Sequence, residues 1–163
     1  MKPFIRKRPP NDPPTGTFEM KSAMSPAEER LFTALVEAVG NSYYVFPKMS
    51  LLEIIRHTHQ TDFGHIVGKS IDFMIYERTV FTPKCAIELD DQTHNIRANK
   101  EHDQVKDFCL NTAGIPVIRL PVYPRFLPKK LRDLIITAKA DLEMQYPIPP
   151  ITVEVEIAAP DEP

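Results

Sequence analysis

Asp72, Glu88 and Asp90 are carboxylates set in strongly apolar company, in the runs Ser70-Ile-Asp72-Phe-Met-Ile-Tyr76 and Lys84-Cys-Ala-Ile-Glu88-Leu-Asp90. Carrying a carboxylate into such surroundings is costly unless a cation or hydrogen bonds compensate it. Carboxylates from neighbouring strands, joined by a strand carbonyl, are the hard oxygen donors that Mg²⁺ accepts while keeping positions for water and a phosphate oxygen. An ion held in this way can orient a phosphodiester, polarise it and lower the pKa of an attacking water, so phosphodiester hydrolysis is the chemistry to which these residues point. The plainer alternative is that Asp90 and Asp91 begin a solvated loop and that Asp72 sits near a strand end.

The elements that must position these residues follow from periodicity. Alternation by two separates Ile71, Phe73 and Ile75 from Asp72, Met74 and Tyr76, and Cys85, Ile87 and Leu89 from Ala86, Glu88 and Asp90. The two strands, Ser70 to Tyr76 and Lys84 to Asp90, are joined by a turn containing Thr82-Pro83 and are close enough to pair as an antiparallel hairpin. Upstream, Ser25-Pro26-Ala27-Glu28 reads as a capping box opening a helix. Its stripe is Leu31, Phe32, Leu35, Val36 and Val39, and Gly40 supplies a left-handed stop. Tyr43 to Met49 is expected as a short strand limited by Pro47, Ser50 with Glu53 opens a second short helix, and 57–69 reads as loop. Downstream, Asn99 to Ala113 is expected as a helix ending at Gly114, with Val105, Phe108, Cys109 and Thr112 facing inward. Pro116 to Leu120 is a short apolar strand and Leu127 to Tyr146 a last helix. The strand, helix and strand between 84 and 120 form a βαβ unit with parallel strands. The expected fold class is α/β, a mixed sheet flanked by helices.

A chain of 163 residues, 42% hydrophobic and 26% charged, is balanced for one globular core. Its ends differ: Lys2, Arg6, Lys7, Arg8 and Lys21 make residues 1–24 a proline-rich basic segment, whereas 141–163 carry six acidic residues and no Lys or Arg. Both ends read as extended or disordered tails around a domain over 25–146, with a possible edge strand over 151–157 in the acidic tail 147–163. No run is long and apolar enough for a membrane span, and the start lacks an apolar secretion segment. Cys85 and Cys109 are too few for a disulfide framework or a four-cysteine zinc site, so a cytoplasmic protein is expected.

Ile71-Asp72-Phe73, then Ala86-Ile-Glu88-Leu-Asp90-Asp-Gln-Thr-His94, a charged helix with Asp103 and Lys106-Asp107, and Gly114-Ile-Pro-Val-Ile-Arg119 follow one another in an informative order. Over residues 25–140 this order resembles the PD-(D/E)XK nuclease superfamily, and more narrowly a bacterial domain of unknown function related to the very-short-patch-repair (Vsr-like) endonucleases. The resemblance implies a restriction-endonuclease-like core in which Asp72 and Glu88 ligate Mg²⁺ or Mn²⁺, with the Leu89 carbonyl as a further ligand. It also places Glu28 where many members carry another acidic active-site residue, although the capping box already accounts for Glu28. The departure is Asp90, which stands where the usual motif has a lysine. Lys106 is a candidate replacement, against the alternative of a solvated helix lysine paired with Asp103 or His102. His94 is a candidate acid or base, against a plain loop histidine. Arg119 could hold a phosphate or a carboxylate, against a strand-end arginine reaching water.

Arg125, Lys129 and Lys130, with Arg132, form a basic cluster that could contact a nucleic-acid backbone, as could the basic head. The remaining histidines lack cysteine company or an HExxH pattern, so no zinc site is expected. The leading expectation is a Mg²⁺-dependent nuclease acting on nucleic acid, DNA before RNA, with no membrane partner. A nucleic-acid-binding module without turnover, and a protein-interaction domain using the two tails, are the alternatives. Removing Asp72 or Glu88 from a mutually repelling acidic cluster is expected to leave metal-free thermal stability unchanged or raised.

Overall fold

The computed structural model describes residues 16–90 and 97–145, including side chains other than those of Gln60, 97–103, Lys139 and 141–145. The expected edge strand over 151–157, His94 and most of both tails lie outside these residues. In chain order the elements are α1 (Pro26–Val39), β1 (Tyr43–Ser50), α2 (Leu51–Ile54), a 3-10 turn (Gln60–Asp62), α3 (Phe63–Ile66), β2 (Ser70–Glu77), β3 (Pro83–Asp90), α4 (Arg97–Thr112), β4 (Val117–Pro121) and α5 (Pro128–Gln145). The four strands form one mixed sheet in the order β1-β2-β3-β4. The first two pairings are antiparallel, and β3 and β4 are parallel across α4. The α/β expectation and the βαβ unit are borne out. No helix among the described residues is long and apolar enough to cross a membrane.

Local chemistry explains most of the boundaries. The Ser25 hydroxyl accepts from the Glu28 N–H at 3.4 Å and the Glu28 carboxylate accepts from the Ser25 N–H at 2.6 Å, closing both halves of the box at the start of α1. Gly40 ends α1 at φ 52°, ψ −133°. This is a positive φ as expected, but outside the left-handed helical basin and in a region essentially reserved for glycine. After α4, Gly114 at φ 75° forms a Schellman stop: its N–H reaches the Asn111 carbonyl at 3.0 Å and that of Ile115 reaches Leu110 at 2.9 Å. Leu110 and Ile115 then pack in the same apolar cluster.

Three expectations are corrected. β1 runs through Pro47 rather than being limited by it, because β1 is the outer strand of the sheet, where a missing N–H is tolerated. Residues 57–69 hold the 3-10 turn and α3, too short to show a helical period. The inward ridge of α4 carries Lys106 and fully buried Leu110, while Phe108 and Thr112 are exposed; a charged residue occupies the core-facing position that apolar periodicity assigns to its neighbours.

The alternation of β2 and β3 distributes two clusters over the sheet. Phe73, Ile75, Cys85 and Ile87 pack with Leu31 and Leu35 of α1 and Leu131 and Ile135 of α5. Met74, Tyr76 and Ala86 pack with Leu51, Ile66 and Leu110. Each fully buried Leu, Ile or Phe contributes about 1.5–3 kcal/mol by burial, and both clusters together fix the strands that carry Asp72 and Glu88.

Candidate functional site

The strand register draws the polar residues into one row. Pro47 pairs with Phe73 and Met49 with Ile71, so Lys48 of β1 stands opposite Asp72 of β2. Phe73 pairs with Ile87, and the next step along that ladder sets Asp72 beside Glu88 of β3. Glu88 is in turn the register partner of Arg119 on β4. Helices complete the row: α1 brings Glu28 to one end and α4 brings Lys106 and Asp107 over the other.

Every acidic member has a cation. Lys48 Nζ donates to Glu28 Oε1 and, at 2.7 Å, to Asp72 Oδ1. The second Asp72 oxygen accepts the Leu89 N–H at 3.0 Å. Lys106 Nζ donates to Glu88 Oε1 at 2.7 Å. Arg119 grips Asp107 with two bonds, Nε to Oδ2 at 3.1 Å and Nη2 to Oδ1 at 2.8 Å, and reaches Asp90 Oδ1 at 3.1 Å. The compensation that the sequence argument seeks from a metal is thus present as lysine and arginine.

Burial and charge divide the two central carboxylates. Glu88 is the buried charged residue of the described chain, 7% exposed, and burial pushes its carboxyl up to about 7, against the opposing pull of Lys106. Asp72 goes the other way. Burial alone would raise it, but the hydrogen bonds from Lys48 and the Leu89 N–H, with the charges of Lys48 and Lys106, hold it below the usual carboxylate range. Lys48 is raised in turn: burial works against its charge and is outweighed by Asp72 and Glu28. Two neighbouring acids are therefore tuned apart, one ionised across the working pH range and one able to take or give a proton near neutrality. Asp72 repels Glu88 but is itself held by Lys48 and the Leu89 N–H, so the structure predicts a loss of stability on its removal where the sequence alone predicts none.

The other expected residues fall as follows. Glu28 serves as cap and as a partner of Lys48 at once, one carboxylate oxygen for each. Lys106 turns in to Glu88, and Leu89 meets Asp72 through its N–H. Asp90 lies at the end of β3, half exposed and paired with Arg119. Arg119 is engaged by carboxylates. Arg125, Lys129 and Lys130 are exposed near the start of α5, whereas Arg132 donates to the Ala38 carbonyl at 2.7 Å at the end of α1. Sequence reasoning missed Lys48 and the role of Asp107. A lysine on an edge strand reads as ordinary protection against edge pairing, and its one distinguishing signal was a charge amid Tyr43-Tyr-Val-Phe-Pro47. A separate cavity of about 710 Å³ lies between the α2–α3 segment and α4, lined by Ile55, His57, Ile66, Val105, Phe108 and Cys109 among others.

Among the described residues no three His, Cys, Asp or Glu side chains are gathered to hold a metal ion. The side chains open to a divalent cation are therefore Asp72 and Glu88, with a backbone carbonyl, water and substrate oxygens completing the set. That donor set fits Mg²⁺, which needs only one or two protein carboxylates.

No curated protein and no solved structure matches the chain significantly. A family model described as "Protein of unknown function (DUF2726)" matches residues 20–139, a span that runs from before α1 into α5 and contains every residue of the charged row. The chain belongs to the DUF2726 family.

Proposed function

We propose that this protein is a Mg²⁺-dependent nuclease that hydrolyses phosphodiester bonds, with DNA as substrate and a core of the restriction-endonuclease type. The observation that carries the reading is the buried Glu88–Lys106 pair beside Asp72, because a protein gains little stability from burying such a pair and strongly shifted acids gather where chemistry is done. Asp72, Glu88 and the Leu89 carbonyl would hold the cation. When bound, the ion supplies Lewis acidity toward the phosphate and a more acidic water. Lys106, fixed on Glu88, takes the part of the lysine absent at position 90 and donates hydrogen bonds to the charge that builds on the phosphate oxygens. Asp107 and Arg119 set the angle at which α4 offers that lysine. Exposed Arg125, Lys129 and Lys130 are candidates for backbone phosphate contacts.

A second reading has its own observation: the carboxylates are already neutralised by the chain's own cations, as suits a domain that binds nucleic acid without turnover. The assay that separates the two uses supercoiled plasmid, linear duplex, single strand and RNA, with Mg²⁺ or Mn²⁺, and Glu88→Gln and Lys106→Met in parallel. Cleavage by the wild type and by neither variant is expected. Salt-sensitive binding by all three proteins without cleavage would replace the nuclease with the binding module.

A further inference from the structure

Lys48 is the one described non-glycine residue other than Phe81 with a positive φ, +53° in each case. Phe81 sits in the connection between β2 and β3, where such angles are common, but Lys48 lies inside β1 with paired residues on both sides. A left-handed lysine within a strand is strained and persists only where its surroundings hold it there. Its ammonium lies between two carboxylates from different elements, Glu28 on α1 and Asp72 on β2. The burial is uneven: the Lys48 side chain is 36% exposed, against 15% for Glu28 and 18% for Asp72. The anions are thus the sheltered partners, while the cation rides on a flexible stem next to solvent and can leave without carrying its charge through the interior.

The geometry points to Lys48 as an exchangeable counter-cation: it neutralises Glu28 and Asp72 in the metal-free protein and is displaced when a divalent ion takes the Asp72 carboxylate. This deepens the nuclease reading and rests on the part of it that gives Asp72 to a metal. Binding of the ion is then a replacement of one cation by another, and metal-free protein keeps its acidic residues paired. The cost of displacing the ammonium is subtracted from the affinity for the ion.

The test is calorimetric titration of the full chain with Mn²⁺, for wild type, Lys48→Gly, Lys48→Met and Lys48→Arg. Lys48→Gly removes the charge and accepts the positive φ, so it guards against a failure of Lys48→Met to fold. An adjacent opposite charge changes the proton affinity of a carboxylate about tenfold or more, and a rise in Mn²⁺ affinity of about tenfold is expected for Gly and Met, with Arg within about twofold of wild type. Unchanged or weaker Mn²⁺ binding by Lys48→Gly overturns the proposal, as does an absence of Mn²⁺ binding by every protein. Tighter binding by Lys48→Gly while the wild type cleaves nothing upholds the counter-cation and removes the nuclease. Cleavage by the wild type without the affinity gain does the reverse.

Discussion

The two faces of the sheet are built from alternate residues of the same strands and have opposite characters. On the α1/α5 face, β2 and β3 contribute Phe73, Ile75, Cys85 and Ile87, all buried without a charge among them. On the α4 face, the intervening positions supply Met74 and Ala86 and then, toward one end, Asp72 and Glu88. Between Ile87 and Glu88, one residue along the chain separates a position that stores folding free energy from one that consumes it. The apolar face explains how the sheet tolerates the other: a core held by Leu31, Leu35, Phe73 and Ile135 supports a buried ion pair that contributes little more than a well-packed hydrophobic pair of the same volume would.

The contrast can be broken most directly on the apolar side. Phe73→Ala should cost about 3–5 kcal/mol of unfolding free energy, read as a fall in the urea midpoint. A loss below about 1 kcal/mol would mean that the α1/α5 face is not the stabilising one.

The polar face should answer to pH rather than to volume. The Glu88 carboxyl titrates near 7 in the folded protein against an ordinary value of 4.5, so the native state binds the extra proton between those limits. Its contribution is fully present below 4.5 and is lost as the pH rises through 7, a swing of at most about 3 kcal/mol. In the presence of a chelator, Glu88→Gln should therefore gain on the wild type between pH 5 and pH 8. Asp72→Asn should instead show a constant deficit against the wild type between pH 5 and pH 8 that closes only in acid, because a lowered carboxyl stabilises above its ordinary value and loses that effect as it is protonated. Parallel pH profiles for the two variants would show that the carboxylates share one environment, against the division seen here. The smallest effect belongs to Asp90→Asn, about 0.5 kcal/mol or less, since its Arg119 pair is half in solvent. A larger loss would extend the buried site to the end of β3.

Much of the apolar face was legible in the sequence. Its helix announced itself by the Ser25–Glu28 box and its strands by alternation, both local signals. Asp72 and Glu88 were legible for the same reason, as charges that break an apolar pattern. Their partners were not. Alternation says to which side a residue points but nothing about which residue of another strand stands opposite, so Lys48 was invisible until the register of β1 on β2 was fixed. On α4 the rule that apolar residues face inward turned the helix toward Phe108 and away from Lys106, because an inward lysine is justified only by a carboxylate 18 residues earlier in the chain. Glu28 shows the converse, a cap read correctly from local sequence whose second oxygen serves a residue 20 positions away.

Lys106 and Asp107 are consecutive on α4, and each is anchored in a different strand: the first on Glu88 of β3, the second on Arg119 of β4. Because Glu88 and Arg119 are themselves register partners, these two bonds index the helix against the sheet in both rotation and height. Each residue of an α-helix turns the next by about 100°, so a single inserted residue upstream of Lys106 would carry both anchors out of alignment together. The two anchors thus fix the phase of α4 on the sheet as well as its position.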